Sequence, residues 1–179
     1  FELVRAFARI AGHHPRARLL LVGQAHPREE RLLKAEIAAL GLDRLVHQVG
    51  ELPRAQLPAC LSACGGFVFP SYNEGSPRSV IEAMACGLPI VASRIPGIEA
   101  LDPKADFIQF VERGEVEGLA AALDLLLAHP DQTRLRGECG RRHFLEHHTP
   151  RAASQPLVDL YRLLDERSVC QPIRSMTSR

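Results

Sequence analysis

Tryptophan is absent, and two tyrosines and seven phenylalanines make up the whole aromatic complement. Nucleic acid bases stack on aromatic rings, so with so few of them a stacking platform is not expected. An excess of charge of either sign is missing too: 22 basic against 21 acidic residues leave a formal net charge of +1. Without a net field there is no general attraction to polyanions or anionic lipid, and no nucleic acid partner is expected. No apolar run approaches the roughly 20 residues of a membrane span. The five cysteines (Cys60, Cys64, Cys86, Cys139 and Cys170) contain no CxxC pair. Cys60 and Cys64 lie one helical turn apart and are read as small buried residues of a protein kept in a reducing cytosol. A signal peptide is not visible. The chain opens Phe1-Glu2-Leu3, without Met and already inside a helical pattern, so a longer polypeptide is expected around it.

What is present is the composition of an ordinary globular domain: 179 residues, 46% apolar and 24% charged. Short apolar runs alternate with segments of helical spacing. Leu3, Val4, Phe7 and Ile10 recur as on one helix face, and Leu19 to Val22 reads as a buried strand running into Gly23. Helical spacing returns from about Arg28 to Leu40, ended by Gly41. Further strands are expected at Leu45 to Val49, Gly66 to Phe69, Pro89 to Ala92 and Phe107 to Val111. Helices are expected at Arg54 to Cys64, from Ser76 to Cys86, at Glu115 to His129 and twice more before Leu164. Such alternation predicts an α/β fold, a Rossmann-like doubly wound parallel sheet, over residues 1–164. From Asp165 onward the chain is polar and aperiodic and is expected to be a disordered tail. His143, His147 and His148 have spacing that suits a metal, but no HExxH accompanies them, and a solvated helix face is expected.

The informative run is Pro70 to Ser93. An apolar strand ends in a polar turn carrying Glu74, a helix opens at Ser76-Pro77 and holds Glu82, and Gly87 closes it before the next strand. Ligands of parallel α/β sheets sit at such strand-to-helix turns. Proline suits the first helical position, and Ser76 is the expected N-cap. The amides of Arg78, Ser79 and Val80 then face the space beyond the helix end, which favours a phosphate or diphosphate. Arg78 adds a full positive charge, and Gly75 lets the backbone approach a ligand closely. Glu82 lies about five residues into the helix, roughly 8 Å along its axis. Its side chain leans back toward the anion site. Being an acceptor, it suits the vicinal hydroxyls of a ribose one unit beyond the phosphates. Glu74 lies across the anion and suits the hydroxyls of a group on the far phosphate. Sugar, diphosphate and ribose in that order make a nucleotide-sugar. A surface role for Glu82 fits poorly with Val80, Ile81, Ala83, Met84 and Ala85 around it, which predict a helix buried on all sides.

These residues resemble the donor-site signature of family 4 retaining glycosyltransferases of the GT-B fold. That pattern runs Pro-Ser-x-x-Glu-Gly-x-Pro, three residues, then Leu/Ile-Glu-Ala-Met-Ala-x-Gly-x-Pro-Val-Val-Ala. It stands here as Pro70 to Pro77 and Ile81 to Ala92. Leu20 to Gly23 resembles the family's second strand, Gly50 its base-side loop, and Ala121 to Tyr161 its C-terminal helices. The resemblance implies that Glu74 is the catalytic-site carboxylate on the transferred sugar, with no role as a nucleophile. Gly75 and Ser76 would touch the sugar hydroxyls, and Pro77, Arg78, Ser79 and Val80 would complete the diphosphate cradle. Glu82 would hold the ribose, and Gly50 and Glu51 would lie beside the base. It further implies no metal and no cofactor, the helix dipole and basic side chains stabilising the leaving diphosphate.

Departures from the pattern are specific. The family's first strand with its basic loop, and its N-terminal acceptor domain, are not in these residues. The aromatic after Glu-Gly is Ser76, Ala-Asp before the Phe-Val-Phe strand is Cys64-Gly65-Gly66, and a Gly-Gly segment is reduced to Pro96-Gly97. The expected activity is that of a hexosyltransferase-type enzyme of glycan biosynthesis, this part alone being inactive. It would move sugar from a nucleotide-sugar to a glycan or lipid-linked acceptor with retention. The expected location is the cytoplasm, with peripheral association at the inner membrane face made through the acceptor domain. The alternative is a catalytically inactive nucleotide-binding or interaction remnant. A phosphorylase of the same architecture is disfavoured because Lys34 and Lys104, the only lysines, stand outside glycine-rich turns.

Overall fold

A computed structural model describes residues 1–168. Five strands alternate with eight helices: α1 (Glu2–Ile10), β1 (Leu19–Val22), α2 (Pro27–Ala39), β2 (Val46–Gly50), α3 (Leu57–Ser62), β3 (Phe67–Phe69), α4 (Arg78–Ala85), β4 (Ile90–Ser93), α5 (Pro96–Glu99), β5 (Ile108–Val111), α6 (Val116–Ala128), α7 (Pro130–His147) and α8 (Pro150–Ser168). Every strand pairing is parallel, so the α/β class follows the expectation. The strands nevertheless form two sheets, β1-β2 and β3-β4-β5, rather than one. Helix α8 runs through Ser168, past the expected boundary at Leu164; residues 169–179 of the expected tail, with Cys170, lie outside the described residues.

The larger sheet is covered on both faces, and its side-chain alternation sorts the core. Val68, Val91 and Val111 point into a cluster with Val4, Phe7 and Ile10 of α1 and Leu119 and Leu123 of α6. Phe67, Phe69, Ile90, Ala92 and Ile108 point the other way, against Val80, Ala83 and Met84 of α4. All four residues of β4 are buried, as expected of a strand between two neighbours. Full burial of a Val, Ile or Met side chain contributes about 1.5–3 kcal/mol, so this two-faced core dominates stability.

Two local devices set the edges of the site region. Gly87 takes a left-handed φ of +72° after α4. Its amide donates to Met84 O at 2.9 Å and that of Leu88 to Ala83 O at 3.1 Å, a Schellman closure that sends the chain straight into β4. Asp102, 3% exposed, starts β5. Its Oδ1 accepts from Asp106 N at 2.9 Å, and its Oδ2 from Phe107 N at 2.9 Å and Ile108 N at 2.6 Å. The side chain thereby replaces ladder partners at the strand's entrance, and Phe107 falls outside the strand that the sequence pattern assigned it to.

Candidate functional site

The polar turn after β3 is tied down from three directions. Ser71 donates its Oγ hydrogen to Glu74 Oε1 at 2.9 Å, aiming the carboxylate across the turn. Tyr72 donates to Glu2 Oε1 at 2.7 Å, and Arg113 Nη1 donates to Tyr72 O at 3.2 Å with its guanidinium 5.8 Å from the Tyr72 ring. That hydrogen bond lowers the Glu2 pKa and raises that of the Tyr72 phenol, each stabilising the charge state that makes it. From beneath, α5 meets the turn at Gly97, where an added Cβ would lie 2.1 Å from Glu74 O. Arg94 steadies α5 by pairing with Glu99 at 3.1 Å. Neither Ser71, Tyr72 nor Gly97 carried a role in the sequence reading. Ser71 and Tyr72 stand inside the quoted signature, whereas Glu2, Gly97 and Arg113 are remote from it in the chain.

Helix α4 starts one residue later than expected. Its N-cap is Pro77, with φ −78° and ψ 70°, and no side chain caps it. These angles are those of an inverse γ-turn. Arg78 N accordingly donates back to Ser76 O at 2.8 Å, so Ser76 serves through its carbonyl rather than as a hydroxyl cap. Val80 N is spent on Pro77 O at 3.0 Å. Among the described residues, Ser79 is therefore the residue of this first turn whose amide has no acceptor. The Arg78, Ser79 and Ser76 side chains are exposed, Gly75 with them, and Arg78 makes no ion pair among the described residues.

Glu82 is half-buried and its carboxylate has no hydrogen-bond or ion-pair partner among the described residues. Helix α4 is not buried on all sides: Val80, Ala83 and Met84 are buried, while Ser79 and Glu82, three residues apart on one face, border a cavity of about 660 Å³. The nearly continuous apolar run from Val80 to Ala85, broken only at Glu82, concealed this open face. Glu74, Gly50 and Glu51 do not border that cavity. Gly50 ends β2 with φ +73°, accepts from Gly23 N at 2.8 Å, and is followed by an exposed Glu51.

The histidine group differs from the expected solvated face. His143 packs its ring 5.2 Å from Phe107, 4.5 Å from His147 and 5.5 Å from His148. Burial, and then the neighbouring imidazoles, lower the pKa values of His143 and His148 below the usual range. Among the described residues no group of three or more His, Cys, Asp or Glu is placed to hold a metal ion. Cys60 and Cys64 are half-buried and free, and Cys64 Sγ donates to Cys60 O at 3.3 Å. Burial raises the Cys64 thiol pKa, the opposite of a reactive thiolate.

Parallel strands, alternating helices and a polar turn after β3 define the class: a Rossmann-like α/β domain. The model of the family described as glycosyl transferases group 1 matches residues 2–129, and the chain belongs to that family. It is 34% identical over 126 residues to the MMP alpha-(1->4)-mannosyltransferase of Mycolicibacterium hassiacum, covering 70% of this chain and 31% of that protein. Among solved structures it is similar to sucrose-phosphate synthase from Thermosynechococcus elongatus, with a TM-score of 0.79 and 28% identity over 93% of this chain and 43% of that one. It also shares the fold of Anabaena HepE, solved in complex with UDP, with a TM-score of 0.81, 24% identity, and coverage of 90% and 44%. The chain thus spans less than half the length of these proteins.

Proposed function

We propose that this chain is the donor-binding half of a retaining, family 4 glycosyltransferase. It would transfer sugar from a nucleotide-sugar to a glycan or lipid-linked acceptor held by an N-terminal domain. The observation that carries the reading is the pairing of an uncommitted amide and an unpartnered carboxylate, Ser79 and Glu82, on one face of α4, with Ser71-oriented Glu74 on the turn in front. The helix start and Arg78 stabilise the diphosphate as charge builds on it. Glu82 accepts from ribose hydroxyls, and Glu74 accepts from hydroxyls of the sugar. Gly75 and Ser76 border the sugar, and Gly50 and Glu51 the base. No protein nucleophile is assigned, and neither metal nor cofactor enters the proposal. The enzyme would draw on cytoplasmic nucleotide-sugar and touch the membrane through its acceptor domain. HepE was solved with UDP, which supports a nucleotide donor.

Calorimetry on the full polypeptide with UDP, GDP and ADP, each with and without an attached sugar, tests this. Binding of one nucleotide and its sugar conjugate is expected. Failure of all six to bind overturns the reading.

A further inference from the structure

The turn that carries Glu74 does little to hold its own shape. From Tyr72 to Ser76, among the described residues, no backbone amide has an acceptor in the chain. A turn without amide hydrogen bonds of its own keeps its place only through what its other groups reach. The Ser71 hydroxyl bonds Glu74 within the turn, so it aims the carboxylate relative to its neighbours and not relative to the sheet. Among the described residues, the hydrogen bonds that join Tyr72–Gly75 to other elements all belong to Tyr72. Its phenol donates to Glu2 Oε1 of α1 at 2.7 Å. Its carbonyl accepts from Arg113 Nη1 at 3.2 Å, in the turn between β5 and α6. The ring is 51% exposed, so core burial does not hold it; it faces the Arg113 guanidinium. Gly114 leaves it a seat: an added Cβ there would stand 3.1 Å from the phenol oxygen.

Both anchor points belong to the packed body of the domain. Val4 and Phe7 of α1 share a buried cluster with Leu119 and Leu123 of α6 and with Val91 and Val111 of the sheet. Arg113 and Gly114 follow β5, which pairs with the fully buried strand β4. We propose that Tyr72 is the positioning residue of Glu74: pinned at its phenol by Glu2 and at its carbonyl by Arg113, it fixes the turn before any ligand arrives. The inference rests on the donor reading for the role of Glu74, and adds what keeps that carboxylate at the sugar. A group already in place contributes more to affinity, because ordering it costs nothing at the moment of binding. Contacts behind a binding group decide how closely it keeps its working geometry. Glu2 and Arg113 act through Tyr72, and Tyr72 acts through the chain to Glu74, without touching the sugar. Ser79 and Glu82 stand on α4, which has its own helical bonds, so the nucleotide end of the site does not depend on this clamp.

Two measurements on the full polypeptide test this. The first needs no ligand. Order parameters from amide nitrogen relaxation are expected at about 0.85 for Asn73, Glu74 and Gly75 in the wild type. They should fall below about 0.6 in Tyr72→Phe, which keeps the ring and loses the hydroxyl. The second is calorimetry with the nucleotide that binds and with its sugar conjugate. Tyr72→Phe should lower affinity for the conjugate roughly 3–10-fold and leave plain nucleotide unchanged. Glu2→Ala should match it, while Glu2→Gln, whose amide oxygen still accepts from the phenol, should recover most of the affinity. With Glu74→Ala already made, Tyr72→Phe should cost nothing further, a coupling that a general loss of stability does not produce. A turn equally ordered in Tyr72→Phe and wild type, or an unchanged conjugate affinity, overturns the proposal. So does an equal loss with and without Glu74, or a Glu2→Gln variant no better than Glu2→Ala. A wild type that binds no nucleotide overturns the donor reading instead, and the order parameters then decide on the clamp alone.

Discussion

Gly97 lies against the backbone of Glu74 so closely that the smallest side chain at position 97 would sit 2.1 Å from the Glu74 carbonyl oxygen. The neighbour is backbone rather than a flexible side-chain tip, so relief requires the whole turn or α5 to move. Gly97→Ala is therefore expected to displace Glu74 while leaving α4 in place. Affinity for the nucleotide-sugar should fall at least ~10-fold, about 1.4 kcal/mol, with plain nucleotide little changed. Equal affinity of the variant and the wild type for the nucleotide-sugar in calorimetry would contradict this.

The two carboxylates should separate by ligand. Glu82→Ala is expected to weaken free nucleotide and nucleotide-sugar alike, by roughly 10–100-fold, the range for a lost hydrogen bond to a charged group. Glu74→Ala should spare free nucleotide and weaken the sugar conjugate alone. Ser71→Ala removes the 2.9 Å bond that aims Glu74 and should reproduce part of that loss, roughly 3–10-fold. A Glu74→Ala variant that loses plain nucleotide as severely as Glu82→Ala would refute this division.

Asp102 satisfies three backbone amides at the mouth of β5. Asp102→Ala leaves the buried amides of Phe107 and Ile108 without acceptors, at a cost of about 1–3 kcal/mol per group, while the part-buried Asp106 amide can turn to water. A loss of about 3 kcal/mol in urea unfolding is expected, larger than that of Asp102→Asn, which keeps one oxygen. Equal losses for the two variants would show that the acceptor oxygens are not what counts.

His143 and His148 predict a stability that declines in mild acid. Burial first, then the neighbouring imidazoles, lower their folded pKa values below the ordinary 6.5, while Asp102 and Glu146 pull His143 weakly the other way. As pH drops past 6.5, the unfolded chain takes up protons before the folded one does. Stability is thus full above about 6.5, falls as pH descends through the folded values, and levels off below them. Melting temperatures between pH 7.5 and 5 should show this fall, and a His143→Asn, His148→Asn double variant should flatten it. Parallel curves for the two proteins would count against the assignment.

Ala105 holds a left-handed φ of +56° in the turn before β5. An L-residue with a Cβ is strained there by roughly 1–2 kcal/mol, which glycine relieves at some cost in unfolded-chain entropy. Ala105→Gly is expected to raise stability by about 0.5–1 kcal/mol in urea melts; a loss would mean that the Ala105 methyl contributes packing.

Much of the fold is legible along the chain because its signals are local. Leu19 to Val22 and Ile90 to Val91 are short apolar runs between turn residues, and the structure makes both of them strand. Gly87 stops α4 for the conformational reason that marks it in the sequence. Errors cluster where a second segment intervenes. Ser76 looked like a cap, but Pro77 adopts a γ-turn that takes the Arg78 amide onto the Ser76 carbonyl. His143 looked solvated because its own helix is polar, yet Phe107, far off in sequence, covers it.

The residues alone therefore carried the order of strands and helices, the polar turn after β3 and the places of Glu74 on that turn and Glu82 on α4. Periodicity, turn preference and acceptor character all reside within a few neighbouring residues. They were silent on the contact of Gly97 with Glu74, the capture of three amides by Asp102, and the division into two sheets. Each of these depends on how closely separate segments approach once packed, and that distance is set by the shape of the whole core rather than by any stretch of chain.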